Sequence, residues 1–243
     1  MALTGLLALL EEVPRLVGAL TGGLLSPKPG AASRLGIPEG PRPLLVAHLF
    51  QRLGRPLLLL TPREEDARRW AGDLAALLGE AAPILHFPER EALPYERVAV
   101  DRATEHSRLA ALGALLPPSG NRGLPPLVVA SAGALLQRTL SRDAFASALL
   151  TVQGGQKVAR EDLLRRLREL GYDLEPSVTA PGSAAVRGGI LDIFPPGADL
   201  PFRLEFFGDV IEDLRRFDPE TQRSLGPAHE AALLPAREVL PAL

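Results

Sequence analysis

Short apolar runs alternate with amphipathic segments over the first part of the chain. Residues 44–53 place Leu45, Leu49 and Leu53 at helical spacing, with Gly54 as a stop. Residues 57–60 form an unbroken run of leucine, the pattern of a strand buried on both faces. Thr61 and Pro62 open a second helical stripe, Ala67, Trp70, Leu74, Leu77 and Leu78, which Gly79 ends. Residues 84–87 lie between two prolines as a short strand. Residues 104–116 read as a helix, 127–131 as a third buried strand and 132–140 as the helix after it. Strands alternating with helices in this way predict an α/β domain over residues 1–145, with a doubly wound, mostly parallel sheet.

The texture changes near residue 146. Residues 161–170 form one amphipathic helix (Leu163, Leu164, Leu167, Leu170) stopped by Gly171. The remainder is strand and turn. Residues 186–194 read as a strand interrupted by Gly188-Gly189, which suggests a bulge or a close backbone approach. Residues 202–207 alternate, Gly208-Asp209 is a turn, 210–217 continues as a strand, and Asp218-Pro219-Glu220-Thr221 is a second turn. Residues 146–243 therefore predict a small α+β antiparallel domain.

The first ten residues are rich in leucine, but Glu11, Glu12, Pro14 and Arg15 follow at once. The pattern predicts an amphipathic helix too short and too charged to span a bilayer. Residues 21–43, rich in Gly, Pro and Ser, predict a long loop. With 27 basic and 29 acidic residues the net charge is −2, which argues against bulk phosphate neutralisation of nucleic acid. The absence of cysteine excludes disulfides and thiolate metal sites and fits a cytoplasmic location. The four histidines have no metal-ligand spacing. No metal or cofactor is expected.

Candidate chemistry is sparse. A phosphate loop needs glycines, a lysine and a following hydroxyl. The segment in its place carries Gly36, Gly40 and Arg42, but Pro41 and Pro43 lack N–H donors and Glu39 would repel an anion. It reads as a degenerate nucleotide loop. Asp192, Glu205, Glu212 and Asp213 read as carboxylates on a solvated sheet face, and Glu105 with His106 as a solvated pair. No nucleophile-and-base arrangement is present, so no catalytic residue is assigned. A surface is the better candidate. Phe202, Leu204 and Phe206 share one strand face, and Arg203, Glu205 and Phe207 the other. Either Phe207 and Arg203 are exposed as interface anchors, joined by Arg187, or Phe207 packs beneath the 161–170 helix and Arg203 pairs with a local carboxylate.

The stretches 186–195, 201–212 and 217–224 resemble a block shared by the UvrB and transcription-repair coupling factor family. The motif Glu91-Ala92-Leu93-Pro94-Tyr95-Glu96, the segment 128–138 and the run 233–238 are more similar to the coupling factors than to UvrB. So is the degenerate loop, and so is the region 87–98, which keeps only Tyr95 where UvrB has a tyrosine-rich hairpin. The resemblance implies the amino-terminal UvrB-like region of a coupling factor: a non-catalytic module that binds UvrA by mimicking UvrB, with Arg187, Arg203 and Phe207 at the contact positions. It implies that the chain is part of a longer ATP-dependent DNA translocase, which meets stalled RNA polymerase and DNA through other parts and no membrane. The alternative is a fragment of a UvrB-like ATP-dependent repair helicase with Arg42 as a phosphate ligand.

Overall fold

The computed structural model describes residues 36–79, 81–90, 101–116 and 125–238. The expected amino-terminal helix, most of the 21–43 loop and most of the 87–98 region lie outside them. The fold is α/β, and the chain separates into two compact units.

The first unit holds helix α1 (Arg42–Leu53), strand β1 (Leu57–Thr61), helix α2 (Glu64–Leu78), strand β2 (Ile84–Phe87), strand β3 (Leu127–Ser131) and the short helix α4 (Ala132–Leu136). The strands form a parallel sheet in the order β1-β3-β2, with Leu57 opposite Leu127 and Ile84 opposite the same residue. The central β3 is buried throughout, as its unbroken apolar run demands. Its core gathers Phe50 of α1, Leu74 and Leu77 of α2, and Leu127 and Val129.

Strand β1 departs from expectation. Its Leu57 and Leu59 pack on this core, but Leu58 and Leu60 are 57% and 55% exposed. Among the described residues the strand pairs with β3 alone, and alternate leucines stay exposed, so a continuous leucine run here does not signify burial on both sides. The helix expected over 132–140 is shorter than that, and a further helix follows it. Helix α4 ends at Leu136, and Ser141 caps a new helix, α5 (Arg142–Ala148), by accepting from the Ala144 N–H at 3.2 Å.

The second unit contains helix α3 (Arg102–Ala114), capped by Asp101, together with α5 and everything that follows. Strand β4 (Leu150–Gln153) leads to helix α6 (Arg160–Glu169), then β5 (Asp173–Leu174), β6 (Ser183–Arg187), β7 (Ile190–Phe194), β8 (Phe202–Phe207), β9 (Val210–Phe217), β10 (Ser224–Pro227) and β11 (Glu230–Leu233). Strands β5 to β10 form a six-stranded sheet in sequence order, antiparallel except for β5 on β6. Strands β4 and β11 pair separately as an antiparallel ribbon. Each compact unit draws on two sequence segments, and α3 clusters with the unit that contains the sheet.

One face of the six-stranded sheet supplies Ala184, Leu191, Ile193, Leu204, Ile211 and Leu214 to a core closed by Leu163, Leu164 and Leu167 of α6. The amphipathic stripe of α6 is therefore satisfied in the predicted way. The carboxyl-terminal segment is tied to this core: Ala236 N–H donates to Leu170 O at 2.8 Å, and the Tyr172 hydroxyl donates to Leu234 O at 2.7 Å. Burial pushes that hydroxyl's pKa up. Nearby, Arg108 of α3 meets Glu238 through Nε and Nη2 at 2.9 Å each, both side chains sealed from solvent.

Candidate interaction surface

The glycine pair 188–189 is a hairpin turn and not a bulge, but the close backbone approach that the sequence also suggested is present, since a Cβ at Gly189 would lie 3.2 Å from the Phe206 carbonyl oxygen. Arg187 pairs directly with Ile190, and Gly188 has φ +57. A two-residue glycine turn lets the strand twist continue, which a β-branched residue would forbid. The next hairpin turns in the same way at Gly208-Asp209, with Phe207 opposite Val210 and Gly208 at φ +59. Both tips lie at one end of the sheet, since Phe206 N–H donates to Gly189 O at 2.8 Å. Arg160, at the start of α6, donates to the Gly188 carbonyl beside them.

The face of the sheet turned away from α6 carries the candidate residues. Arg187, Asp192, Arg203, Glu205 and Phe207 share it by strand register. Phe207 is 77% exposed, so it does not pack beneath the helix. The side chain of Arg187 is 48% exposed, and that of Arg203 only 15%. Arg203 is held by Asp192, Nε to Oδ1 at 2.7 Å and Nη2 to Oδ2 at 2.8 Å. Arg187 Nη2 reaches the same carboxylate at 2.9 Å. The alternation thus assigns Phe207 to the exterior, while Arg203 does meet a local carboxylate.

Asp192 is 1% exposed, which corrects its assignment to a solvated face. The two guanidinium groups compensate its burial, and its hydrogen bond is what chiefly raises the Arg203 pKa. Arg203 also lies over the Phe217 ring, 4.5 Å from its centre. Further along the face, Arg215 sits between Glu205 at 2.7 Å and Asp213 at 2.8 Å. The arrangement is a ladder of alternating charge that ends at an exposed aromatic ring. The turn after β9 borders it: Asp218 Oδ1 accepts from the Glu220 and Thr221 N–H groups, which hold its carboxyl below the usual range.

Other sequence candidates are placed differently. Glu105 and His106 are buried, against the expectation of a solvated pair; Glu105 accepts from the Glu238 N–H at 2.6 Å. They were missed because a helix with few aliphatic side chains gave no clear buried stripe. Gly36 and Gly40 have no positive φ, and the Arg42 guanidinium turns back onto Ile37 O at 2.9 Å. Arg42 is the first residue of α1, whose preceding turn contains Pro41 and offers few backbone donors. Among the described residues no group of three or more His, Asp or Glu is placed to hold a metal ion. Among them, too, no helix is long and apolar enough to cross a membrane.

Residues 150–239 match the model of the UvrB interaction domain, the same span that builds the six-stranded sheet. This defines the class: a UvrB-like protein with an interaction domain at its sheet. The chain is 39% identical over 210 residues to the transcription-repair-coupling factor of Myxococcus xanthus, covering 84% of this chain and 17% of that protein. It is 32% identical over 194 residues to the one of Escherichia coli K12, covering 80% and 16%. Similarity to UvrABC system protein B of Actinobacillus pleuropneumoniae is 28% over 239 residues, covering 92% and 34%. The chain belongs to the family of the transcription-repair-coupling factors, within their UvrB-like region, and spans about a sixth of the length of the coupling factors it matches.

Proposed function

We propose that this chain is a non-catalytic recruitment module of transcription-coupled nucleotide excision repair, and that it binds UvrA by mimicking UvrB. The observation that carries this reading is Phe207, an aromatic side chain 77% exposed at a hairpin tip, on the same charged sheet face as the half-exposed Arg187 of a UvrB interaction domain. An exposed aromatic flanked by arginine is the composition of a protein-binding anchor. Phe207 enters an apolar site on the partner, and Arg187 meets a partner carboxylate. Arg203 supports the face from beneath.

The sheet-bearing part, residues 146–243, is the UvrA-binding domain. Residues 1–145 are the counterpart of UvrB's doubly wound first domain with its nucleotide loop degenerate at Gly36, Gly40 and Arg42. Translocation on DNA and contact with stalled RNA polymerase belong to the remainder of a longer cytoplasmic protein. Co-elution of this chain with UvrA on a sizing column tests the reading. The wild-type chain shifts with UvrA and the folded Phe207→Ala variant does not; equal co-elution of both refutes it.

A further inference from the structure

Gln222 is the one non-glycine among the described residues with a left-handed backbone, at φ +60. A glutamine in that conformation is strained, and the strain persists only where the surroundings hold it. The bonds that hold it lead to the candidate surface. Its backbone N–H donates to Asp218 O at 2.8 Å, and its side-chain amide donates to Pro219 O at 2.8 Å and Val178 O at 2.9 Å. Its Oε1 accepts from Arg187 Nη2 at 3.1 Å, and its carbonyl accepts from Arg203 Nη1 at 3.2 Å. The strained residue therefore touches both arginines.

Asp192 grips the same two arginines from the middle of the sheet. One buried carboxylate shared by two guanidinium groups leaves a net single positive charge, with Arg187 as its exposed end. An arginine free in solvent loses rotamer entropy when it docks, whereas one already fixed loses little. We infer that Asp192 and Gln222 are the positioning residues of the UvrA-binding surface: together they fix Arg187 in its outward pose, with Arg203 as the brace between them. This inference rests on the UvrA reading above.

Two variants separate positioning from charge alone. Asp192→Asn raises the positive charge of the face by one, so a surface that worked by bulk attraction to an acidic partner would bind UvrA more tightly at low salt. A surface that depends on the preset pose binds about tenfold more weakly or worse, because the grip on both arginines is lost. Gln222→Gly removes the side-chain bonds while adopting the left-handed backbone without strain, so the fold is retained. It too binds more weakly.

Affinity for UvrA is measured by calorimetry on the full chain at two salt concentrations, with a thermal melt for each variant and Phe207→Ala as the control. Weaker binding by folded Asp192→Asn and by Gln222→Gly supports the inference. Unchanged or tighter binding by folded Asp192→Asn overturns it. If that variant does not fold, wild-type affinity of Gln222→Gly overturns it instead. Loss of affinity in Phe207→Ala with none in the other two sinks the positioning role alone, and wild-type affinity in all three sinks the UvrA reading beneath it.

Discussion

Arg203 and Asp192 stand directly opposite each other on adjacent strands and meet as a bidentate pair, in which the guanidinium covers both oxygens of an otherwise sealed carboxylate. Arg203→Ala leaves that buried charge to Arg187 alone. The variant is therefore expected to lose about 2–4 kcal/mol of stability in chemical denaturation, in addition to any loss of UvrA binding. Phe207→Ala, at an exposed position, should change stability by no more than about 0.5 kcal/mol. Equal stability of the two variants would show that the Arg203 pair contributes nothing to the fold.

The Arg108–Glu238 pair makes a stronger demand, since neither side chain reaches solvent. Glu238→Ala removes the bidentate carboxylate from a buried arginine and should cost about 3–5 kcal/mol. Replacing both residues by apolar ones of similar volume should cost much less than the single change. Thermal unfolding of the two variants decides this, and a milder effect of the single substitution would contradict it.

Burial pushes the His106 pKa below the ordinary imidazole value; Arg102 and Arg237 push it the same way, while Glu105 and a hydrogen bond to the Ala236 backbone oppose them. The unfolded chain therefore binds the extra proton more readily than the folded one. Stability is highest above the unfolded value near 6.5, declines as pH falls through it, and levels off below the lowered value. His86 is shifted in the same direction, chiefly by burial, so His106→Gln should reduce the slope of melting temperature against pH between 8 and 5 without abolishing it. An unchanged slope in that variant would assign the effect elsewhere.

The loop before α1 should bind no nucleotide. Arg42 is folded onto Ile37 O, and Pro41 and Pro43 remove two of the N–H donors a phosphate would need. Titration with ATP and magnesium should give no measurable heat, and Arg42→Ala should behave like the wild type. Measurable ATP binding that disappears in Arg42→Ala would restore the helicase alternative.

Much of this architecture was legible because its signals were local. The α6 stripe, the Gly208-Asp209 turn and the alternation at 202–207 each follow from a few consecutive residues, and all three are present. What was misread depended on partners distant in sequence. Gly188-Gly189 read as a bulge or a close backbone approach, and only the pairing of Arg187 with Ile190 makes it a turn. The leucines of β1 could not reveal that Leu58 and Leu60 are exposed. Asp192 looked like a surface carboxylate because nothing in its neighbourhood announces that Arg203, across the sheet, would seal it. The site showed the same division: strand period put Phe207 on the face with Arg203 but left open whether it was exposed, and the contacts of Asp192 and Gln222 with both arginines arise only from tertiary structure.

The ribbon of β4 and β11 has a mechanical consequence. Leu150, at the entry to the sheet-bearing module, lies opposite Leu233, at its exit. The stretch from β4 to β11 thus begins and ends about one strand spacing apart, roughly 5 Å. It could be spliced into a host at a single position without stretching the host's backbone. A pull between those two points loads the ribbon's hydrogen bonds one after another, like a zipper, and reaches the sheet with Arg187 and Phe207 last. The ribbon would yield under tension before the face that carries Arg187 and Phe207 is deformed.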